Sequence, residues 1–149
     1  MDTCCAKPPS ARQSCPSCKA TGKPVHAITV RSLTLAERRP DHENDFHFCA
    51  TRNCPVVYFD GTGATLLKTD LRVPVWQKCE DKTVPICYCF GWSEERIHSE
   101  IEETGKSTAV SAISAQVKAG ACACEVKNPQ GSCCLGNISK VVRSLHTTR

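Results

Sequence analysis

Paired cysteines at short spacing limit this chain more than any other feature. Thirteen occur in 149 residues, with close pairs at Cys15/Cys18, Cys49/Cys54, Cys87/Cys89 and Cys133/Cys134, and two more thiols at Cys122 and Cys124. Only two tryptophans, two tyrosines and four phenylalanines are available to fill a core. Small modules that bury too little apolar surface need disulfides or metals to hold them. Compartment decides between the two. The segment Met1–Pro9 has no apolar leader-type run, and no stretch approaches a membrane span, so a cytoplasmic chain without membrane insertion is expected. An odd number of cysteines in that setting points to thiolate–metal bonds. The net charge of +4 is small and scattered and gives nucleic acid no footing.

The predicted fold class is α+β, a small zinc-knuckle β-rich module followed by a small helical module that binds a cluster. Residues 1–14 read as a flexible tail, 15–76 as the β-rich module, 77–86 as a linker, 87–145 as the helical module and 146–149 as a second tail. In the first module Val25–Val30 alternates weakly and favours a strand, and Leu33–Arg39 favours a short helix stopped by Pro40. Val56–Phe59 and Thr65–Leu67 form the arms of a hairpin around Asp60-Gly61-Thr62-Gly63. Cys15-x-x-Cys18 and Cys49-x₄-Cys54 are two knuckles whose four thiolates suit closed, tetrahedral, structural zinc. His42, Asp45 and His47 are polar alternatives that a complete thiolate shell does not need.

The stretch Asp70–Pro85 contains two prolines, several charges and the isolated Cys79, which reads as a spare surface thiol. Beyond it, Ser93 caps a helix carrying Ile97 and Ile101 that stops at Gly105. Ser107 caps a second helix with Val110, Ile113 and Val117 on one face. Ser132 caps a third with the stripe Leu135, Ile138, Val141, Val142 and Leu145. Thiols thus sit at helix starts, where free amides favour an anionic centre. In a [2Fe–2S] cluster each iron takes two ligands. Cys87 and Cys89 are candidates for one iron, and two of Cys122, Cys124, Cys133 and Cys134 for the other; spacing does not choose among these four.

Four segments in order, Cys15-Pro16-Ser17-Cys18, Phe48-Cys49…Cys54-Pro55-Val56-Val57-Tyr58-Phe59, Cys87-Tyr88-Cys89 and Cys124…Asn128-Pro129-Gln130-Gly131-Ser132-Cys133-Cys134, resemble the N-terminal domain of archaeal-type CopZ copper chaperones. The second half of that family resembles bacterioferritin-associated ferredoxins. The resemblance spans about residues 15–145. It implies zinc in the first module and a [2Fe–2S] cluster in the second, held by Cys87, Cys89, Cys124 and Cys134 when the Asn-Pro-x-Gly turn is aligned. It implies Cu(I) binding or Cu(II) reduction, with a copper transporter or separate copper carrier and an electron-donor protein as partners. The archaeal type continues into a copper-carrying domain with a Met-x-Cys-x-x-Cys loop; the sequence through Arg149 holds none. Copper delivery is therefore expected through remaining thiols or a separate carrier. Cys4 and Cys5 are the soft-metal candidates, since soft thiolates select Cu(I); Cys79, Cys122 and Cys133 are left over. The alternative is a ferredoxin-like electron-transfer partner without a copper role. No catalytic acid, base or nucleophile is identifiable, and His98 reads as a solvated helix-face residue.

Overall fold

The computed structural model describes residues 13–40 and 45–147. Cys4, Cys5 and His42 lie outside the described residues. The architecture is α+β, an antiparallel sheet followed by helices. The sheet has the order β1 (Lys23–Val25), β2 (Phe46–Phe48), β3 (Val56–Asp60), β4 (Thr65–Leu67). Every residue of β3 is buried, which is why Val56–Phe59 is a run of apolar and aromatic residues rather than an alternation. The β3–β4 turn forms as predicted: the Asp60 carboxylate accepts from the amides of Thr62 and Ala64 at 2.9 and 3.0 Å, and Gly63 takes φ 95°.

Two predicted elements of this half are corrected. The strand expected over Val25–Val30 ends at Val25, and α1 (Ala27–Leu33) follows. Thr29, Val30 and Leu33 are the buried residues of α1, at helical spacing, and packing on that face overrides the weak alternation. The helix expected over Leu33–Arg39 is reduced to a 3₁₀ turn, Ala36–Arg38. Leu33 already closes α1, and Thr34 pairs in extended conformation with Leu71. Further 3₁₀ turns, Lys68–Asp70 and Trp76–Lys78, lie along the connecting stretch, where Val75, Lys78 and Val84 are buried.

The second half opens with a small hairpin, β5 (Pro85–Cys87) and β6 (Trp92–Ser93). α2 (Glu94–Thr104) starts at Ser93, whose hydroxyl accepts from the Arg96 amide at 3.2 Å, and stops at Gly105 with φ 87°. α3 (Ala109–Lys118) buries Ala109 and Ile113 with Ala112 and Val117 packed alongside. Val110, predicted on that face, is exposed, while Ile113 and Val117 of the same prediction pack inward. The Glu100 carboxylate accepts from the Thr108 amide at 2.8 Å and from its hydroxyl. The Ser107 hydroxyl accepts from the Ala109 amide at 3.1 Å. A one-turn helix, α4 (Cys124–Lys127), was not foreseen. α5 (Leu135–Thr147) starts three residues beyond the expected Ser132 cap, with the Cys134 carbonyl accepting from the Ile138 amide. Ile138 and Val141 of its stripe are buried with Ile86, Trp92, Ile97, Ile101 and Ile113. Among the described residues no helix is long and apolar enough to cross a membrane.

The halves are packed against each other. α1 lies on α4, and the Tyr58 hydroxyl donates to the Pro129 carbonyl at 2.6 Å. Gly131 has φ 73° and so little room that an added Cβ would meet Thr29 Oγ1 at 3.2 Å and Val25 Cγ1 at 3.3 Å. Tyr58 and Pro129 are both buried, so Tyr58→Phe strands a carbonyl without solvent. It is expected to destabilise the protein by about 1–3 kcal/mol, read as a lowered midpoint in thermal unfolding. An unchanged midpoint would mean that water replaces the hydroxyl.

Candidate metal centres

The first centre is built from two loops. Cys15 opens a tight turn in which its amide donates to the Ala20 carbonyl and its carbonyl accepts from the Lys19 amide, both at 2.8 Å. Lys19 adopts φ 68° to close it. Cys49 follows β2, its amide donating to the Val57 carbonyl at 2.8 Å, and Cys54 precedes β3. The Sγ atoms of Cys15, Cys18, Cys49 and Cys54 lie within 4.8 Å of one another. Cys15–Cys54 is 3.8 Å and Cys18–Cys49 is 3.6 Å. Tetrahedral zinc with Zn–S bonds near 2.3 Å requires sulfurs roughly 3.8 Å apart, so the four thiols fit that ion. His47 instead stacks on Phe59, with ring centroids 5.6 Å apart, and Asp45 is exposed.

Thr51 Oγ1 lies 3.2 Å from Cys18 Sγ and lowers that thiol to about 6, whereas burial raises Cys49 to about 11. A metal binds thiolates, so its entry expels protons from the thiols that still carry them. Lys78 is 5% exposed, and its ammonium donates to the carbonyls of Thr51 and Cys54 at 2.7 and 2.9 Å and to Cys49 Sγ at 3.6 Å. A lysine is buried this way only beside compensating negative charge, which metal-bound thiolates supply. Lys78→Met is expected to weaken zinc binding about 10–100-fold, the range for lost outer-sphere partners, in competition with a chromogenic chelator. Neither Lys78 nor Thr51 was anticipated from the sequence; nothing in a charged connector marks one lysine for burial.

The second cysteine group lies where β5, α4 and the start of α5 meet. Cys87, Cys124 and Cys134 are buried and Cys89 is half-buried. Cys89 Sγ is 3.7 Å from Cys124 Sγ, and the Cys134 thiol is shifted by its neighbours Cys124 and Cys87; among the described residues only the first group brings three or more ligand atoms within 4.8 Å of one another. The Ala123 amide donates to Cys89 Sγ at 3.1 Å, and the Phe90 and Cys89 amides serve Cys87. The contact with Cys134 holds the Cys87 thiol below its ordinary value. Contact with Cys124 and burial push Cys89 well up. Cys134 is also pushed up, since Cys124 lowers it but Cys87 and burial outweigh that. Cys122, Cys133 and Cys79 are half-buried. His98 is exposed on α2, 3.7 Å from Glu102 one turn on.

A four-thiolate knuckle on an antiparallel sheet, followed by cysteine-lined helices, defines a zinc-binding α+β protein. A zinc binding domain family of CopZ proteins matches residues 12–72. The copper chaperone CopZ of Archaeoglobus fulgidus is 30% identical over 127 residues, which is 85% of this chain and 60% of that protein's length. The crystal structure of the Archaeoglobus fulgidus CopZ N-terminal domain matches with a TM-score of 0.73 at 30% identity, covering 87% of this chain and 97% of the other. The chain belongs to the family of CopZ N-terminal domains.

Proposed function

We propose that this chain is a copper-handling redox protein in which zinc is structural and Cys87, Cys89, Cys124 and Cys134 hold a [2Fe–2S] cluster. The observation that carries the reading is the gathering of buried thiols in the second half: Cys89 Sγ lies 3.7 Å from Cys124 Sγ, the Ala123 amide donates to Cys89 Sγ at 3.1 Å, and Cys87, Cys124 and Cys134 are buried. Neighbouring buried thiols cannot all ionise unaided, and a cationic metal core resolves that conflict. Amides directed at sulfur are the groups that stabilise an anionic cluster and set its potential. Lys127 lies close enough to favour negative charge on Cys89. A cluster bound there supplies a one-electron centre, which is what conversion of Cu(II) to Cu(I) requires.

Copper enters the reading as substrate. Its support is the likeness to a protein described as a copper chaperone, together with the thiols the two centres leave over. Cys4 and Cys5 are the proposed capture pair, with a copper transporter or separate carrier as recipient and an electron-donor protein as source. Iron, sulfide and zinc analysis of anaerobically purified protein tests the metal assignment. About two iron, two sulfide and one zinc per chain, with visible absorption bleached by dithionite, is the expected result; zinc without iron overturns the redox reading. Titration with Cu(I) then compares the native chain with a Cys4→Ser, Cys5→Ser variant. Equal stoichiometry and affinity in both removes the tail from copper capture, and absence of copper binding leaves an electron-transfer partner.

A further inference from the structure

The 3₁₀ turn Trp76–Lys78 joins both cysteine groups through three consecutive residues. Lys78 bonds the zinc loops, at the Thr51 and Cys54 carbonyls and Cys49 Sγ. Gln77 Nε2 donates at 2.8 Å to Gln130 Oε1, and Gln130 Nε2 donates at 3.1 Å to the carbonyl of Cys133, the neighbour of Cys134. The Trp76 amide donates at 3.0 Å to the hydroxyl of Tyr88, the residue between Cys87 and Cys89. That hydroxyl donates in turn to the Pro74 carbonyl at 2.7 Å, so Tyr88 is gripped from both sides of Val75. The turn itself is closed by the Lys78 amide on the Val75 carbonyl at 2.9 Å. A three-residue turn has no slack. Where Lys78 is held fixes where Trp76 and Gln77 present their groups.

We propose that Trp76–Lys78 is a coupling turn, in which Lys78, anchored on the zinc thiolates, positions the Tyr88 and Gln130 loops that hold the cluster ligands. This rests on the assignment of Cys87, Cys89, Cys124 and Cys134 to a cluster. Lys78 is thus a positioning residue for a centre it does not touch. The charge that makes its burial tolerable comes from the metal-bound sulfurs, so zinc occupancy sets how firmly the turn is anchored. Coupling of this kind is reciprocal: if zinc steadies the cluster, the cluster must steady zinc.

The test uses full-length protein reconstituted anaerobically with both metals, and follows loss of visible absorbance to an iron chelator in excess zinc. Four proteins form a cycle: native, Lys78→Met, the pair Gln77→Ala with Tyr88→Phe, and all three together. Lys78→Met is expected to speed cluster loss about tenfold in the native background, as for one or two lost hydrogen bonds, and less than about threefold once Gln77 and Tyr88 are replaced. Zinc release from the native chain should also slow when the cluster is loaded, and this effect should vanish in the Gln77→Ala, Tyr88→Phe protein; this arm stands even if Lys78→Met fails to fold. A cluster lifetime unaltered by Lys78→Met overturns the proposal, as does equal acceleration in both backgrounds, which marks general destabilisation. Absence of iron and sulfide from the reconstituted native chain overturns the cluster assignment and this inference with it. A stable cluster with uncoupled zinc overturns this inference alone.

Discussion

Serine in place of Cys15 or Cys54 should empty the zinc site and unfold the sheet, while serine at Cys79 leaves both intact. The strands explain the size of the effect. β1, β2 and β4 have three residues each, too short for independent sheet stability without further support. Cys15, Cys49 and Cys54 pack with Val56 and Phe59 into a cluster of their own, so the metal loops are also part of the core. A structural zinc site contributes about 10–16 kcal/mol of apparent binding energy, which in such sites is folding energy. Whole domains are stable by only about 5–15 kcal/mol. Loss of one ligand also leaves Lys78 with less compensating charge, which is costly for a buried cation. Zinc content and amide dispersion in NMR spectra check the outcome together: zinc should fall from about one per chain to none, and the dispersed strand resonances of residues 46–48 and 56–60 should collapse. A zinc-free variant that keeps its strand dispersion would show that the sheet stands on its apolar contacts.

What was legible in the sequence is what rests on local chemistry. Ser93 and Gly105 bound α2 because a cap and a left-handed stop are single-residue events. The 60–63 turn followed from Asp and Gly placement, and the knuckles followed from thiol spacing. What escaped depends on contacts far along the chain. Ala27–Val30 turns helical because Val30 is buried against Phe46, Tyr58 and Leu71 of the sheet core while α1 also packs on α4, roughly a hundred residues away. Ser132 was misread as a cap because its hydroxyl bonds Lys23 instead. Lys78 and Tyr88 look like ordinary connector and loop residues; only the fold brings one to the zinc sulfurs and the other to Pro74. The choice among Cys122, Cys124, Cys133 and Cys134 was likewise closed to spacing, since adjacent cysteines differ only in where their side chains point.

That choice carries the second large effect. Under the proposed cluster assignment, Cys87→Ser, Cys89→Ser, Cys124→Ser and Cys134→Ser should each reduce iron and sulfide from about two of each per chain to nearly none, whereas Cys122→Ser and Cys133→Ser should leave both unchanged. The argument is one of burial and neighbours. Cys134 is 1% exposed, within the core formed by Ile97, Ile113 and Ile138, and its carbonyl starts α5. Its thiol feels both Cys124 and Cys87 as neighbours. Cys133, one residue earlier, is half-buried and has its carbonyl tied to Gln130. Cys124 opens α4 with its sulfur 3.7 Å from Cys89, and the Ala123 amide just before it is spent on the same Cys89 sulfur. Cys122 precedes that amide and is half-buried with no such contact. Serine is close to cysteine in shape, so far-UV circular dichroism should separate a missing ligand from a missing fold: helix content should change little while the visible bands disappear. Retention of the cluster by Cys124→Ser together with its loss from Cys122→Ser would move the ligand set by one turn of the loop. The amide at Ala123 would then have to serve a different sulfur from the one it now faces.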